Sequence, residues 1–515
     1  MAPTTLCGCL PARVALALLC SSGVIALYLV RINLSVAIVA MVHVPSTKNV
    51  TRDKLCINNR EELSSIDMVQ GPSNSSYEIM SSGLQEEQIP DKIIMTSMEK
   101  GSILGAFFYG YFTTGIIGGR MAELYGTKRV YGISMLMGAI LTFLTPLAAK
   151  THYAFFTTVR ILMGMLQGVV YPAMHSLISR WIPPLERPRF ISFVYVSNCL
   201  GVVITLPLCG VIIEAVGWEW AFYVPGIVSV VWVVMWALLM HDTPQQHPRI
   251  SQAELKYITD KLTQQSGGGT KPTSIPWKKI LSCKGLWAIA IAHAGNMYGF
   301  NLLNTQLPSF MDGVLGLSIK KNALLSSIPF LSRFIGSNCW SWFGDMLNTK
   351  GFLSIYVSRR LFSAIGMVGN GIVLAIVGFV GCNEMLVVSL LALGTFCMGA
   401  TNAGYASNDL DLAPNFAGTL FGLTNSFGFG FAMLAPVVVG ALTPDQTPEQ
   451  WQAAFLSTSG LLILCVTVYL IFADTEIKPW NFASPKEAQD EKEEEERQEF
   501  IQKHSHGSAV SLQKL

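Results

Sequence analysis

Long apolar runs separated by short polar stretches dominate the chain, and their length fixes the class of element. Twelve runs recur, at about residues 14–42, 100–119, 130–149, 153–178, 190–213 and 220–240, then 285–311, 322–344, 358–380, 384–407, 416–442 and 453–473. Each approaches the ~20 residues that an α-helix needs to cross a bilayer. The pattern predicts an all-α membrane protein with twelve transmembrane helices in two six-helix halves. The expected division is an N-terminal half at 1–241, a central loop at 242–284, a C-terminal half at 285–474 and a tail at 475–515.

The polar stretches add detail. Residues 43–97 form a long loop with two glycosylation acceptors, Asn49-Val-Thr51 and Asn74-Ser-Ser76, which require a luminal or extracellular face. Asn33-Leu-Ser35 has the same form but lies inside the first run, out of reach of such a modification. In the central loop, Ser251 and Glu254 have capping-box spacing, so a short amphipathic helix is expected over 252–265, followed by a glycine-rich hinge at Ser266–Thr270. The tail segment Asp490–Glu496 is strongly acidic and reads as a solvated, disordered cytoplasmic extension.

Charge sets the orientation. The connections after runs 2, 4, 6 and 8, with their edges, hold sixteen Lys and Arg, whereas the short connections on the opposite side hold three. The positive-inside rule then places both termini and the central loop in the cytoplasm, which leaves the loop bearing Asn49 and Asn74 outside. The membrane could be the plasma membrane or that of a lysosome or vesicle.

Composition excludes the main alternatives. Of 515 residues, 51% are hydrophobic and only 13% are charged, about half the ~25% of a soluble domain. A net charge of +2 gives no electrostatic case for nucleic acid. Among the eleven cysteines, Cys20, Cys199, Cys209, Cys339, Cys397 and Cys465 sit in apolar runs, and only Cys56 and Cys382 fall in loops placed outside, so no disulfide framework is expected. Cys7 and Cys9, ahead of the first run, are expected as free thiols, with palmitoylation the alternative. No phosphate-binding loop, HExxH, paired CxxC or G-x-S-x-G appears, which argues against an enzyme or an ATP-driven pump. No cofactor or metal is implied.

Three cations stand out because charge inside a bilayer is costly and belongs beside a polar cavity. Arg31 lies deep in the first run, Arg160 about two turns into the fourth, and Arg333 inside the eighth. The sequence places no Asp or Glu well inside any run to balance them; Glu214, Asp312, Asp345 and Asp411 all fall near run ends. An uncompensated positive centre favours a small anionic ligand, with Arg offering paired donors to carboxylate or phosphate. Arg31 and Arg160 are the expected substrate ligands, while Arg333 fits a gate or an interfacial snorkelling role equally. Gln167, His175, His293, Asn296, Asn301, Asn304 and Asn408 are candidates for the cavity or for coupling, with packing the competing reading for the histidines and asparagines. Asn402, Asn408, Asp409 and Asp411 cluster toward the cytoplasmic end of run 10, where they could hold a cation or close a gate.

Gly119-Arg-Met-Ala-Glu123-Leu-Tyr-Gly126-Thr-Lys128-Arg129 follows run 2, and Arg160-Ile-Leu-Met-Gly164-Met-Leu-Gln-Gly168 occupies run 4. Both resemble signatures of the major facilitator superfamily. In the first, Glu123, Lys128 and Arg129 would form a gating ion network while glycines let spans 2 and 11 approach. Further strings run in order along nearly the whole chain: Arg31-Ile-Asn-Leu-Ser-Val-Ala37, Gly105-Ala-Phe-Phe-Tyr-Gly-Tyr111, Tyr171-Pro-Ala-Met-His175 and Asn408-Asp-Leu-Asp-Leu-Ala-Pro414. These are similar to the anion-transporter branch that includes sialin, the vesicular glutamate transporters and the type I sodium–phosphate cotransporters.

The resemblance implies a major facilitator fold working as a monomer in lipid. It implies alternating access between the halves and transport of inorganic phosphate or organic anions coupled to sodium, protons or membrane potential. Arg31 and Arg160 match the two arginines which that family uses around its anion. Met163 and Gln167 stand where sialin has carboxylates linked to proton coupling, and Leu104 and Asn296 stand where glutamate transporters have His and Arg. Gln167 resembles the sodium–phosphate branch, so sodium-coupled uptake of phosphate or small organic anions is the first expectation and a proton- or potential-driven organic-anion transporter the second. A non-transporting receptor or scaffold on the same fold has no use for the buried arginine pair.

Overall fold

The computed structural model describes residues 11–43, 93–183, 186–266, 275–381, 383–413 and 416–482. Helices occupy all twelve apolar runs. The first half contains α1 (Ala12–Met41), α2 (Ser97–Tyr125), α3 (Thr127–Thr151), α4 (Tyr153–Gly168), α5 (Val170–Trp181), α6 (Arg187–Val216) and α7 (Trp220–Leu239), with α4 and α5 sharing one span. The connector carries α8 (Gln252–Ser266) and α9 (Trp277–Leu281). The second half contains α10 (Lys284–Gly313), α11 (Ile319–Thr349), α12 (Ile355–Val377), α13 (Glu384–Met398), α14 (Asn408–Leu412), α15 (Ala417–Ala432), α16 (Leu434–Leu442) and α17 (Pro448–Phe472).

Among the described residues, nine helical stretches are long and apolar enough to cross a membrane, and α2, α10 and α11 are not among them. In α10 and α11 the apolar character is broken by buried polar side chains. α10 buries His293, Asn296, Asn301, Asn304, Thr305 and Gln306, and α11 buries Arg333. The two halves meet where α1 packs on α10, α6 on α11, and α2 on α15 and α16.

The end of the bundle opposite the termini is pressed shut. A Cβ on Gly101 would lie 2.3 Å from the Pro436 carbonyl oxygen, and one on Gly440 would lie 2.6 Å from that of Ser97. Ser97 Oγ donates to the Pro444 carbonyl at 3.2 Å, and Lys320 stands 3.7 Å from Glu214 across the α6–α11 contact. Spans 2 and 11 approach closely through Gly101 and Gly440 at this end. Gly126 has a different task, described below.

Two short strands close the excursion after α1. β1 (Val42–His43) pairs in parallel with β2 (Ile93–Ile94), Val42 opposite Ile93 and His43 opposite Ile94. The acceptors Asn49 and Asn74 and the acidic tail lie outside the described residues, as do Cys7, Cys9, Cys56 and Cys382. Asn33 is buried and donates to the Ala221 carbonyl at 3.1 Å, as expected for a sequon hidden in a span.

The capping box of α8 is half formed. The Glu254 N–H donates to Ser251 Oγ at 3.1 Å, but the Glu254 carboxylate does not turn back to its own helix. It accepts instead from the backbone N–H groups of Ala12 and Arg13 and from Arg13 Nε, at 3.0–3.2 Å. Arg13 also pairs with Glu186, and its guanidinium stacks 5.0 Å over Tyr257. The carboxylate is diverted because the uncapped start of α1 offers it two N–H donors and a cation at once, stronger partners than one N–H.

Candidate anion-binding site

Close packing of α4 on α2 comes first. A Cβ on Gly164 would fall 1.9 Å from the Phe107 carbonyl oxygen, and one on Gly110 the same distance from that of Ile161. Only a glycine at each position lets these backbones touch. The contact carries Phe107 beneath Arg160, whose guanidinium carbon is 5.5 Å from the ring centroid.

Arg31 reaches the same ring from α1, at 4.6 Å. The two guanidinium carbons are therefore no farther apart than these two distances laid end to end. Four more rings surround Arg31: Tyr28, Phe108 and Tyr111 at 5.2–5.3 Å, and Phe429 at 5.5 Å. Phe429 belongs to the second half and packs against Tyr111 with ring centroids 4.4 Å apart and planes tilted by 42°, so the cradle is closed by a residue from across the bundle. Each ring face contributes about 0.5–2 kcal/mol to a desolvated cation, which offsets part of the cost of removing the guanidinium from water.

Aromatic faces satisfy charge but accept little hydrogen bonding. Arg31 is 6% exposed and Arg160 3%, yet Arg31 Nη1 and Arg160 Nε have no hydrogen-bond partner, and among the described residues no carboxylate lies within 4.0 Å of either. About two turns along α4 from Arg160, Gln167 is buried with both amide atoms unpartnered. Buried donors of this strength are ordinarily paired, and here the two guanidinium groups share the Phe107 ring, with Phe429 of the second half over Arg31.

The remaining candidates sort into groups. His175 on α5 and His293 on α10 approach Phe421 of α15 from opposite halves, at 5.8 and 6.5 Å between centroids. Nε2 of each histidine is buried without a partner. Asn296, Asn301 and Asn304 line α10 with one unpartnered amide atom each. Arg333 lies 3.8 Å over Phe300 and is 7% exposed, so it faces the interior rather than snorkelling to the interface. Asn408 donates to the Tyr469 hydroxyl at 3.1 Å, which ties it to α17.

Asp409, expected toward the cytoplasmic end of run 10, is an acid buried within the bundle. It is 4% exposed, accepts from Thr424 Oγ1 at 3.3 Å through one oxygen, and has no partner on the other. The span bends through two 3₁₀ turns, Gly399–Asn402 and Tyr405–Ser407, before α14, and this turns Asp409 inward.

The turn after α2 is held by residues the motif did not specify. Gly126 has φ +85°, a conformation that favours glycine, and a Cβ there would meet the Asp242 carboxylate at 2.6 Å. Asp242 accepts from the Lys128 N–H at 2.8 Å, capping α3, and Arg129 is exposed. The side chain of Glu123 and the surroundings of Gly119 lie outside the described residues. In the second half, Arg359 grips Asp411 through Nε at 2.7 Å and Nη2 at 3.3 Å and donates to the Ala403 carbonyl at 2.8 Å.

Comparison with known proteins agrees with this architecture. The Major Facilitator Superfamily model matches residues 26–432. Human sialin is 36% identical over 473 residues, covering 92% of this chain and 91% of sialin. Vesicular glutamate transporter 1 of Xenopus laevis is 35% identical over 394 residues, covering 76% and 68% of the respective chains. A bacterial homologue of the human lysosomal transporter Spinster superposes with a TM-score of 0.63 at 12% identity, over 93% of this chain and 100% of that one, which bears on the fold alone. The relatives are transporters rather than enzymes. The chain belongs to the major facilitator superfamily, in the anion-transporter family that holds sialin and the vesicular glutamate transporters.

Proposed function

We propose that the protein carries small anions across the membrane by alternating access, with Arg31 and Arg160 as the anion ligands and an ion gradient, sodium first, as the driving force. The observation that carries this reading is the pair of buried guanidinium groups sharing Phe107, each with an unpartnered donor and neither facing a carboxylate. An anion seated between them replaces the missing countercharge. Phe429 then reports which half has closed, because it reaches Arg31 from the opposite side of the bundle. The interlocked end at Gly101, Gly440 and Ser97 makes this a state shut toward the outside in the orientation that the basic loops assign.

Inorganic phosphate and small organic anions both fit two guanidinium groups. Five aromatic walls around Arg31 favour an anion with a carbon body, which supports a carboxylate substrate as the second reading. Asp409 supports proton coupling as the alternative to sodium, since a buried carboxylate with a free oxygen can hold either ion.

The test is uptake of radiolabelled phosphate, then of a sialic acid and of glutamate, into cells with the protein at the surface. External sodium is exchanged for choline, and external pH is stepped at constant sodium. Arg31→Ala and Arg160→Ala should each abolish uptake of the transported anion at unchanged surface level. Undiminished uptake in both variants overturns the assignment.

A further inference from the structure

A second polar site lies far from the arginine pair, on the face that carries both termini and that the charge distribution assigns to the cytoplasm. There a cavity of about 680 Å³ opens between the connector helix α9, the first turns of α10 and α12, and the end of α17. Four cations line it, Lys279, Lys284, Arg360 and Lys478, against two carboxylates, Asp474 and Glu476. Asp474 is already engaged, accepting from Lys478 Nζ and from the Glu476 N–H. The remaining charge is positive.

Three features make it a receptor for an anion rather than a patch of surface lysines. Arg360 is stacked 4.1 Å over Tyr356, and its Nε is buried without a partner. Lys284 and Gly285 begin α10, a 30-residue helix with no side chain capping its start, so backbone N–H groups add to the field. Ile471 and Phe472, at 63% and 49% exposure, line the same cavity and give it an apolar margin at the end of the candidate span Pro448–Phe472.

We propose that this cavity binds a phosphomonoester anion, carried on the headgroup of a lipid in the cytoplasmic leaflet or free in the cytosol. The basic floor takes the phosphates. Ile471 and Phe472 lie where the acyl chains of a lipid would begin. Occupancy would join the connector to three helices of the second half. The site is independent of the transport assignment and stands if that assignment fails.

Purified full-length protein in phosphatidylcholine nanodiscs is titrated with dioctanoyl phosphatidylinositol bisphosphate and, separately, with inositol trisphosphate, reading saturable binding and melting temperature. The expected result is binding to the wild type and to Arg160→Ala, weakened roughly tenfold or more in Lys279→Gln/Lys284→Gln and in Arg360→Gln. Each variant must melt like the wild type without ligand. Tighter binding of the lipid probe assigns the site to the bilayer, and equal binding assigns it to a soluble phosphate. The proposal is overturned by an absence of saturable binding, or by binding unchanged in both variants. It is also overturned if binding appears only after residues 483–515 are removed, which would make the acidic tail the occupant.

Discussion

Replacing Gly164 with alanine tests whether the contact of α4 with α2 builds the anion site. The added Cβ would lie 1.9 Å from the Phe107 carbonyl oxygen and 2.9 Å from both the Phe107 carbonyl carbon and the Tyr111 nitrogen. These are backbone atoms, so no side chain can rotate away. The helices must separate by about 1.5 Å to reach ordinary contact at 3.4 Å. Overpacking of this kind costs ~1–3 kcal/mol, and the ring that moves is the one beneath both arginines. Gly138 in α3 provides the control, since nothing lies within 4 Å of its added Cβ; there alanine should gain up to about 1 kcal/mol of helix propensity. Melting temperature in detergent and anion uptake at matched surface expression read the two effects. Gly164→Ala should melt lower and lose uptake by roughly tenfold or more, while Gly138→Ala keeps both. Equal stability and uptake in the two variants would refute the reasoning.

Other consequences are equally direct. Arg160→Lys keeps the charge but loses the planar fork stacked on Phe107, so kcat/KM for the transported anion should fall by roughly tenfold or more; a wild-type value would remove the stacking argument. Asp409→Asn should abolish gradient-driven accumulation while sparing counterflow exchange, which requires no driving ion; loss of both would make Asp409 structural. Arg359→Ala breaks a paired contact with Asp411 and one with the Ala403 carbonyl. Its expected cost is about 1.5–3 kcal/mol per charged hydrogen bond, read as lowered melting temperature and partly restored by Arg359→Asp with Asp411→Arg. At the face opposite the termini, burial is the largest single influence on the Glu219 carboxyl and pushes its pKa up, but the hydrogen bond from Lys150 Nζ at 2.7 Å, the backbone N–H of Glu219 and the charge of Lys150 together outweigh it, and the net pKa falls below the usual 4.5. A lowered folded-state pKa contributes stability above 4.5 that is lost as pH drops through the folded value. The wild type and Glu219→Gln should therefore differ in melting temperature near neutrality and converge in acid; a gap that persists in acid would exclude the ion pair as its source.

The spans were legible because bilayer thickness imposes a length on every one of them. α2, α10 and α11 are not among the stretches that meet a strict apolar criterion, yet their runs remain long and apolar enough to stand out between polar connections. Arg31 and Arg160 were legible as charges too deep for the interface. Their surroundings were not, because the cradle draws Tyr28, Phe107, Phe108 and Tyr111 from the first half and Phe429 from some three hundred residues farther on. Nothing local marks Phe429 among its neighbouring phenylalanines. The misplacement of Asp409 has a physical cause: counted along a straight helix it reaches the membrane surface, but two 3₁₀ turns redirect it. The capping role of Asp242 and the reach of Glu254 to the start of α1 were missed for a related reason, since each carboxylate caps a helix in another part of the chain.

The pairing of β1 with β2 gives the protein a place where its length can change without consequence for the bundle. Residues 43 and 94 are held side by side, so whatever runs between them begins and ends at one point. Closing a longer loop costs only about 0.6 kcal/mol for each doubling of its length. This excursion can therefore be extended, shortened or exchanged for a foreign segment while α1 and α2 keep their relative positions. In an engineered transporter it is the natural port for an epitope, a fluorescent reporter or a tether, and in evolution it is where new surface character could be acquired without touching the machinery beneath.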